Sequence, residues 1–238
     1  VAKVNHTARL TGPVTLNIDT GAADVMVVAD PSVTGTWIEL STEDESGPSV
    51  DAIREARFYD DGAEVSLKLT EPSVSFSTGG MTFSNIYGGG MIFGNGGTIR
   101  VNGQVVTGGT TIGGSKILVR AITETGSAVK VETVSGDVMA KNVRVVRAET
   151  VSGDVTTLGV DDVRAKTTSG NIDAVGVTAS SRLKSVSGDI MVSGEPGTRV
   201  TAKTTTGDVS SSGGVDLDAS SVSGRVNGQC ASTADEWW

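Results

Sequence analysis

Little in this chain is of the kind that enzyme sites are made from. It has one cysteine, Cys230, and one histidine, His6. A lone cysteine excludes a disulfide framework or a Cys-based zinc site within one chain. His6 has no Gly-x-Ser-x-Gly partner motif, which leaves neither a nucleophilic triad nor a histidine metal site to assemble. Glycine-rich phosphate loops are missing too, since Gly88-Gly89-Gly90 and Gly94-Asn95-Gly96-Gly97 are not followed by a helix pattern. Aromatic residues are scarce at four Phe, three Trp and two Tyr, and none falls between 129 and 226. No apolar run approaches the ~20 residues of a bilayer-spanning helix, and the opening VAKVNHTARL lacks the apolar stretch of a secretory leader. Cations are outnumbered, 19 Lys and Arg against 28 Asp and Glu, and the net charge of -9 opposes nonspecific binding to nucleic acid or anionic membrane. The expectation is a non-enzymatic protein with no cofactor.

What the chain has instead is one short phrase, six times over. It reads TVSGDV at Thr133–Val138 and Thr150–Val155, TTSGNI at Thr167–Ile172, SVSGDI at Ser185–Ile190, TTTGDV at Thr204–Val209 and SVSGRV at Ser221–Val226. The glycines fall at 136, 153, 170, 188, 207 and 224, with spacings of 17, 17, 18, 19 and 17. A period this short marks a stacked repeat.

Aligned on the glycine, small apolar residues alternate with charged ones. Val131, Ala148, Ala165, Leu183, Ala202 and Ala219 share one column, and Lys130, Arg147, Arg164 and Arg182 share the next one over. That alternation is a half-buried strand. Glycine permits a corner, and the Asp or Asn after it suits a turn. The chain is therefore expected to be all-β, a single-stranded β-solenoid with 17–19-residue coils filled by Ala, Val, Thr and Ser.

Four segments follow: 1–78, an N-terminal β region forming the cap or first coils; 79–114, a glycine-rich apolar insertion; 115–228, the repeats; and 229–238, a tail. In the first, Val14–Ile18, Asp24–Val28 and Thr36–Leu40 read as strands, and Thr20 to Val25 loosely echoes the repeat. Terminal coils of a solenoid are expected to be atypical. One short helix is expected over Val50–Arg57, with Ser49 as N-cap. Asp60-Asp61-Gly62 reads as a hairpin turn into a strand from Glu64 to Thr70, and Asn102-Gly103 as a two-residue hairpin.

With these repeats and the segment Ala52–Arg57 followed by Asp61-Gly62-Ala63-Glu64-Val65-Ser66-Leu67 to Pro72, the chain resembles the bacterial putative-adhesin β-solenoid domains over 1–78 and 115–228. The resemblance implies a solenoid fold and no catalytic or cofactor-binding residues.

Three sets of residues stand out as sites. Asp137, Asp154, Asp189 and Asp208 form an acidic column, interrupted by Asn171 and ended by Arg225. Stacked coils would set adjacent carboxylates about 4.8 Å apart, a repulsion that calcium or a turn's own N–H groups would relieve; the turn reading is preferred. Lys130, Arg147, Arg164 and Arg182, flanked by Lys166, Lys184 and Lys203, form a basic ribbon suited to an anionic surface polymer, or else a solvated strand face. Met81, Phe83, Ile86, Tyr87, Met91 and Phe93 of the insertion, with Trp237 and Trp238, offer apolar surface for a protein partner or self-association. The function expected is a structural or adhesive module binding a partner protein or surface polymer, with a virion-type structural subunit and an acidic-glycan-active enzyme as alternatives. A cell-envelope, extracellular or virion setting fits these better than the cytoplasm.

Overall fold

The computed structural model describes residues 1–9, 11–70 and 115–228, and the backbone of strands Val74–Thr78, Met81–Ile86, Thr98–Val101 and Gln104–Val106. Two long sheets carry the repeats. Sheet A runs, in order of pairing, through Ala2–Thr7, Trp37–Thr42, Ile117–Thr123, Asp24–Ala29, Val138–Lys141, Val155–Leu158, Ile172–Val177, Ile190–Gly194, Val209–Ser212 and Val226–Asn227. Sheet B runs through Arg57–Asp61, Glu64–Lys68, Thr15–Asp19, Ala128–Glu132, Val145–Glu149, Asp162–Lys166, Ser181–Lys184, Arg199–Thr206 and Asp216–Ser223. From Ala128 onward successive strands of each sheet pair in parallel, like beside like. Val129 stands beside Val146, Ala148 beside Ala165 and Val138 beside Val155. The inward residues of both sheets form one core in which Val146, Ala148 and Ala140 are fully buried.

The phrase Thr-x-Ser-Gly-Asp is the corner from sheet B to sheet A, and its glycine has a reason beyond flexibility. A Cβ on Gly153 would lie 1.9 Å from the carbonyl oxygen of Gly136, and one on Gly170 would lie 2.0 Å from that of Gly153. Stacked corners thus approach too closely for any side chain. The Thr or Ser three residues earlier turns inward. Thr150 Oγ1 accepts the N–H of Gly153 at 3.1 Å, while Thr167 Oγ1 and Ser185 Oγ donate to the carbonyls of Gly153 and Gly170 in the preceding corners. The return corner, from sheet A back to sheet B, works differently. Asn142, Gly159 and Gly176 adopt left-handed backbone, φ 57°, 62° and 75°, each just before a buried valine (Val143, Val160 and Val177). The extra residues of the longer repeats lie at this second corner, around Thr178–Ser180 and Gly194–Gly197.

The N-terminal third is woven into the same rod. Thr15–Asp19 and Asp24–Ala29 pair in parallel with Ala128–Glu132 and Val138–Lys141, so the loose echo at Thr20–Val25 is a true coil stacked directly on the first full repeat. Glu64–Lys68 and Ile117–Thr123 add a further parallel strand to each sheet. In this outermost coil the chain between the two strands, which in the repeats is a five-residue corner, is expanded to include the segment 79–114. A separate four-stranded antiparallel sheet is built there, in which Gln104 pairs with Val101; the hairpin turn expected at Asn102-Gly103 lies outside the described residues.

Antiparallel strands close the N-terminal end. Trp37–Thr42 pairs with Ile117–Thr123, Ala2–Thr7 with Trp37–Thr42, and Arg57–Asp61 with Glu64–Lys68. The strand Ala2–Thr7 is absent from the sequence reading; Val4 and His6 alternate with polar residues there, but only its place on the sheet edge makes it a strand. The helix spans Pro48–Arg54, earlier than expected. Its N-cap is Gly47 with φ 103°, Pro48 takes a first-turn position where its missing N–H costs nothing, and Ser49 lies inside the helix, donating from Oγ to the Ser115 carbonyl at 2.8 Å. Ala52 and Ile53 complete the core from this end.

Candidate functional site

Register fixes where the outward residues of sheet B fall. Lys130, Arg147, Arg164 and Arg182 stand side by side on four neighbouring strands, and Glu149, Lys166, Lys184 and Lys203 form the adjoining ladder. All of these side chains are exposed. The structure brings the proposed basic ribbon together, and its charge is graded along the rod. Near Lys130 it is neutralised: the Lys130 ammonium meets Glu132 at 2.7 Å, and that hydrogen bond raises its pKa. Farther along, Lys166 meets Glu149 at 3.6 Å and Arg164 meets Asp162 at 3.8 Å. Among the described residues Arg147, Arg182, Lys184 and Lys203 enter no ion pair.

The acidic column forms a second ladder, on the corner. The N–H of Asp137 donates to Asp24 Oδ1 at 2.9 Å, Asp154 to Asp137 at 3.0 Å, Asn171 to Asp154 at 2.7 Å, Asp189 to Asn171 at 2.9 Å, Asp208 to Asp189 at 2.8 Å and Arg225 to Asp208 at 2.7 Å. Each side chain thus accepts from the next coil, which corrects the expectation that a turn's own N–H groups are the donors. Asn171 serves as well as aspartate because only one oxygen is used. Asp24, one rung earlier, was not foreseen; its place before Val25 in the echo was the available signal. Lys116 closes this end, 2.8 Å from Asp24 Oδ1 and 3.7 Å from Asp137 Oδ2, and its pKa is raised chiefly by the hydrogen bond to Asp24. Among the described residues no group of three His, Cys, Asp or Glu side chains is disposed to hold a metal ion.

Sheet A presents an outer face that sequence reading overlooked. Met139, Leu158, Val175 and Met191 are exposed there. Their columns could have been read after the glycine, at the alternate positions of each second strand. Met81, Phe83 and Ile86 lie on the strand Met81–Ile86 of the small sheet; their side chains, with Tyr87, Met91, Phe93, Trp237 and Trp238, lie outside the described residues. His6 stacks on Phe58 with centroids 4.5 Å apart and planes 12° from parallel, joining the edge strands of sheets A and B. No helix among the described residues is long and apolar enough to cross a membrane.

The family model described as Toastrack DUF4097 matches residues 92–236. Among solved structures, a putative adhesin from Bacteroides fragilis is similar at 11% identity and a TM-score of 0.49, covering 95% of this chain and 96% of that one. A putative cell adhesion protein from Clostridium sporogenes is similar at 6% identity and a TM-score of 0.39, over 95% and 98% of the two chains. A putative lipid binding protein from Parabacteroides distasonis is similar at 9% identity and a TM-score of 0.35, over 96% and 95%. No curated protein matches the chain.

Proposed function

We propose that this chain, which belongs to the Toastrack DUF4097 family, is a non-enzymatic binding module: a β-solenoid of 17–19-residue coils whose outer faces attach to a surface polymer or a partner protein. The observation that supports this most is the in-register stacking of outward side chains on sheet B, where Arg147, Arg164 and Arg182 recur strand after strand. A surface that repeats one chemistry at a fixed step suits a ligand that also repeats. A protein partner is favoured by a different observation, the exposed Met139, Leu158, Val175 and Met191 on the other sheet, since methionine is enriched where proteins meet. The segments 79–114 and 229–238 are proposed to add to that contact. A location at a cell surface or outside the cell belongs to the same reading.

The test is retention of the full chain on bacterial cell-envelope material, followed with and without an assay for reducing-sugar release from acidic glycans. Retention without sugar release is expected. Catalytic release of sugar ends would overturn the non-enzymatic reading, and failure to bind any envelope fraction or partner would overturn the module reading.

A further inference from the structure

Resting on that reading, we propose that the outer face of sheet B between Arg147 and Lys203 seats a linear anionic surface polymer lying along the rod axis, one carboxylate or phosphate per rung. The chain is acidic overall at -9, yet Arg164, Lys166, Arg182, Lys184 and Lys203 crowd onto three neighbouring strands of one face. Three of these five cations, and Arg147 beside them, have no counter-ion among the described residues.

Stacking like charges about 4.8 Å apart is unfavourable, by up to roughly 0.9 kcal/mol per adjacent pair in bulk water. Nothing in the packing requires it, because these side chains point out while their neighbours Ala148, Ala165 and Leu183 fill the core. The repulsion disappears when an anion sits between each pair of rungs. Arginine in one ladder supplies forked donors that match a carboxylate or phosphate with two hydrogen bonds. Lysine in the next ladder supplies point charges that tolerate variation in the polymer's path.

The two ladders run perpendicular to the strands, so a polymer that meets them must extend along the rod. The same face argues against nucleic acid. Binding single strands relies on aromatic platforms for the bases, and no aromatic residue lies between 129 and 226. The extent of the polymer's seat along the rod is also bounded: Glu132 at the N-terminal side of the patch and Asp218 on the strand beyond Lys203 are exposed and carry the ligand's own sign of charge.

The experiment measures binding of the full chain to four probes at several salt concentrations: polygalacturonate of about ten units, polyphosphate of similar length, neutral dextran and single-stranded DNA. The two anionic polymers without bases distinguish a carboxylate ligand from a phosphate one. At least one of them is expected to bind, weakening steeply with salt, with a two-unit fragment binding far less. Dextran should not bind, and DNA should bind at least tenfold more weakly. Arg164→Glu with Arg182→Glu should lower the affinity by about 100-fold, in line with the loss of two charge-assisted contacts. Lys184→Glu with Lys203→Glu is the second variant, and unchanged melting of both confirms that the fold is kept. Equal binding of dextran, tightest binding of DNA, or variants that bind as well as the parent would overturn the proposal. If both anionic polymers fail while envelope material is still retained, this inference is wrong and the binding-module reading stands; if envelope material also fails, both fall.

Discussion

The two outer faces of the rod are built on the same stacked backbone and have little else in common. On sheet B the outward ladders carry Arg147, Arg164, Arg182, Lys166, Lys184 and Lys203; on sheet A one outward ladder reads Met139, Thr156, Asp173, Met191 and the next Lys141, Leu158, Val175. Inside, both sheets are filled mainly by Val, Ala, Ile and Leu, with buried polar exceptions such as Thr157 and Ser181, and Thr or Ser stands at the corner. The interior is constrained because each residue touches the coil before and after it. Outward positions are not, and so the two faces are free to diverge.

That contrast can be broken outright by attacking the scaffold they share. Gly153→Ala would drive a Cβ into the Gly136 carbonyl, a backbone atom that cannot step aside. A loss of about 3 kcal/mol or more is expected in denaturant unfolding, and with it the loss of both faces together. Ala165→Leu, stacked between Ala148 and Leu183, should cost on the order of 1–3 kcal/mol by overpacking. Unchanged stability in either variant would contradict the stacking register.

Smaller changes sharpen it. Asp154→Ala removes the acceptor for the Asn171 N–H and should cost about 0.5–1.5 kcal/mol. Asp154→Asn keeps an acceptor oxygen, as Asn171 itself does for Asp189, and should sit close to the parent. Millimolar calcium should leave the melting temperature of the parent unchanged; a rise that vanishes in Asp154→Ala would make the column a metal site instead. On the faces, Arg164→Glu with Arg182→Glu and Met139→Lys with Met191→Lys should each alter stability by no more than about 0.5 kcal/mol. Only the first pair should weaken polyanion binding. Only the second should weaken self-association or protein binding measured by sedimentation.

The least effect is expected from acid. Glu124 accepts the N–H of Gly12 at 2.7 Å and that of Gly35, and these bonds lower its pKa; Asp44 is lowered in the same way by the Ser115 hydroxyl and N–H. A carboxylate lowered on folding adds stability above its ordinary range, near pH 4, and that stability is lost as the pH falls through the depressed value. Both groups serve the N-terminal cap, so Glu124→Gln should flatten part of the acid limb of an unfolding titration and leave both outer faces as they were.

The repeats were legible because their neighbours in space are also their neighbours in sequence. A period of 17 to 19 residues is enough by itself to place Arg147 beside Arg164 and Ala148 beside Ala165. The N-terminal strand Ala2–Thr7 and the start of the helix were not legible. Both depend on the cap: the strand on an edge supplied by Trp37–Thr42, the helix on a Gly47 corner and on Ser115, which lies 66 residues away. The apolar face of sheet A was visible as alternate residues after each glycine, but only pairing shows that Met139 and Met191 lie on one surface with Leu158 and Val175.

The sequence by itself determined the repeat, the inward columns and the corner chemistry, because each is a local pattern recurring with a fixed step. Tertiary structure alone decided that Thr15–Ala29 stacks on a repeat more than a hundred residues later, and that Glu64–Lys68 and Ile117–Thr123, the strands on either side of the glycine-rich segment, form the coil beyond it. It also decided that each aspartate bonds the next coil and not its own turn. The physical reason is the same in all three. Parallel stacking satisfies backbone and side-chain groups across coils, and which coil lies next is set by closure of the whole rod, not by the residues that make the contact.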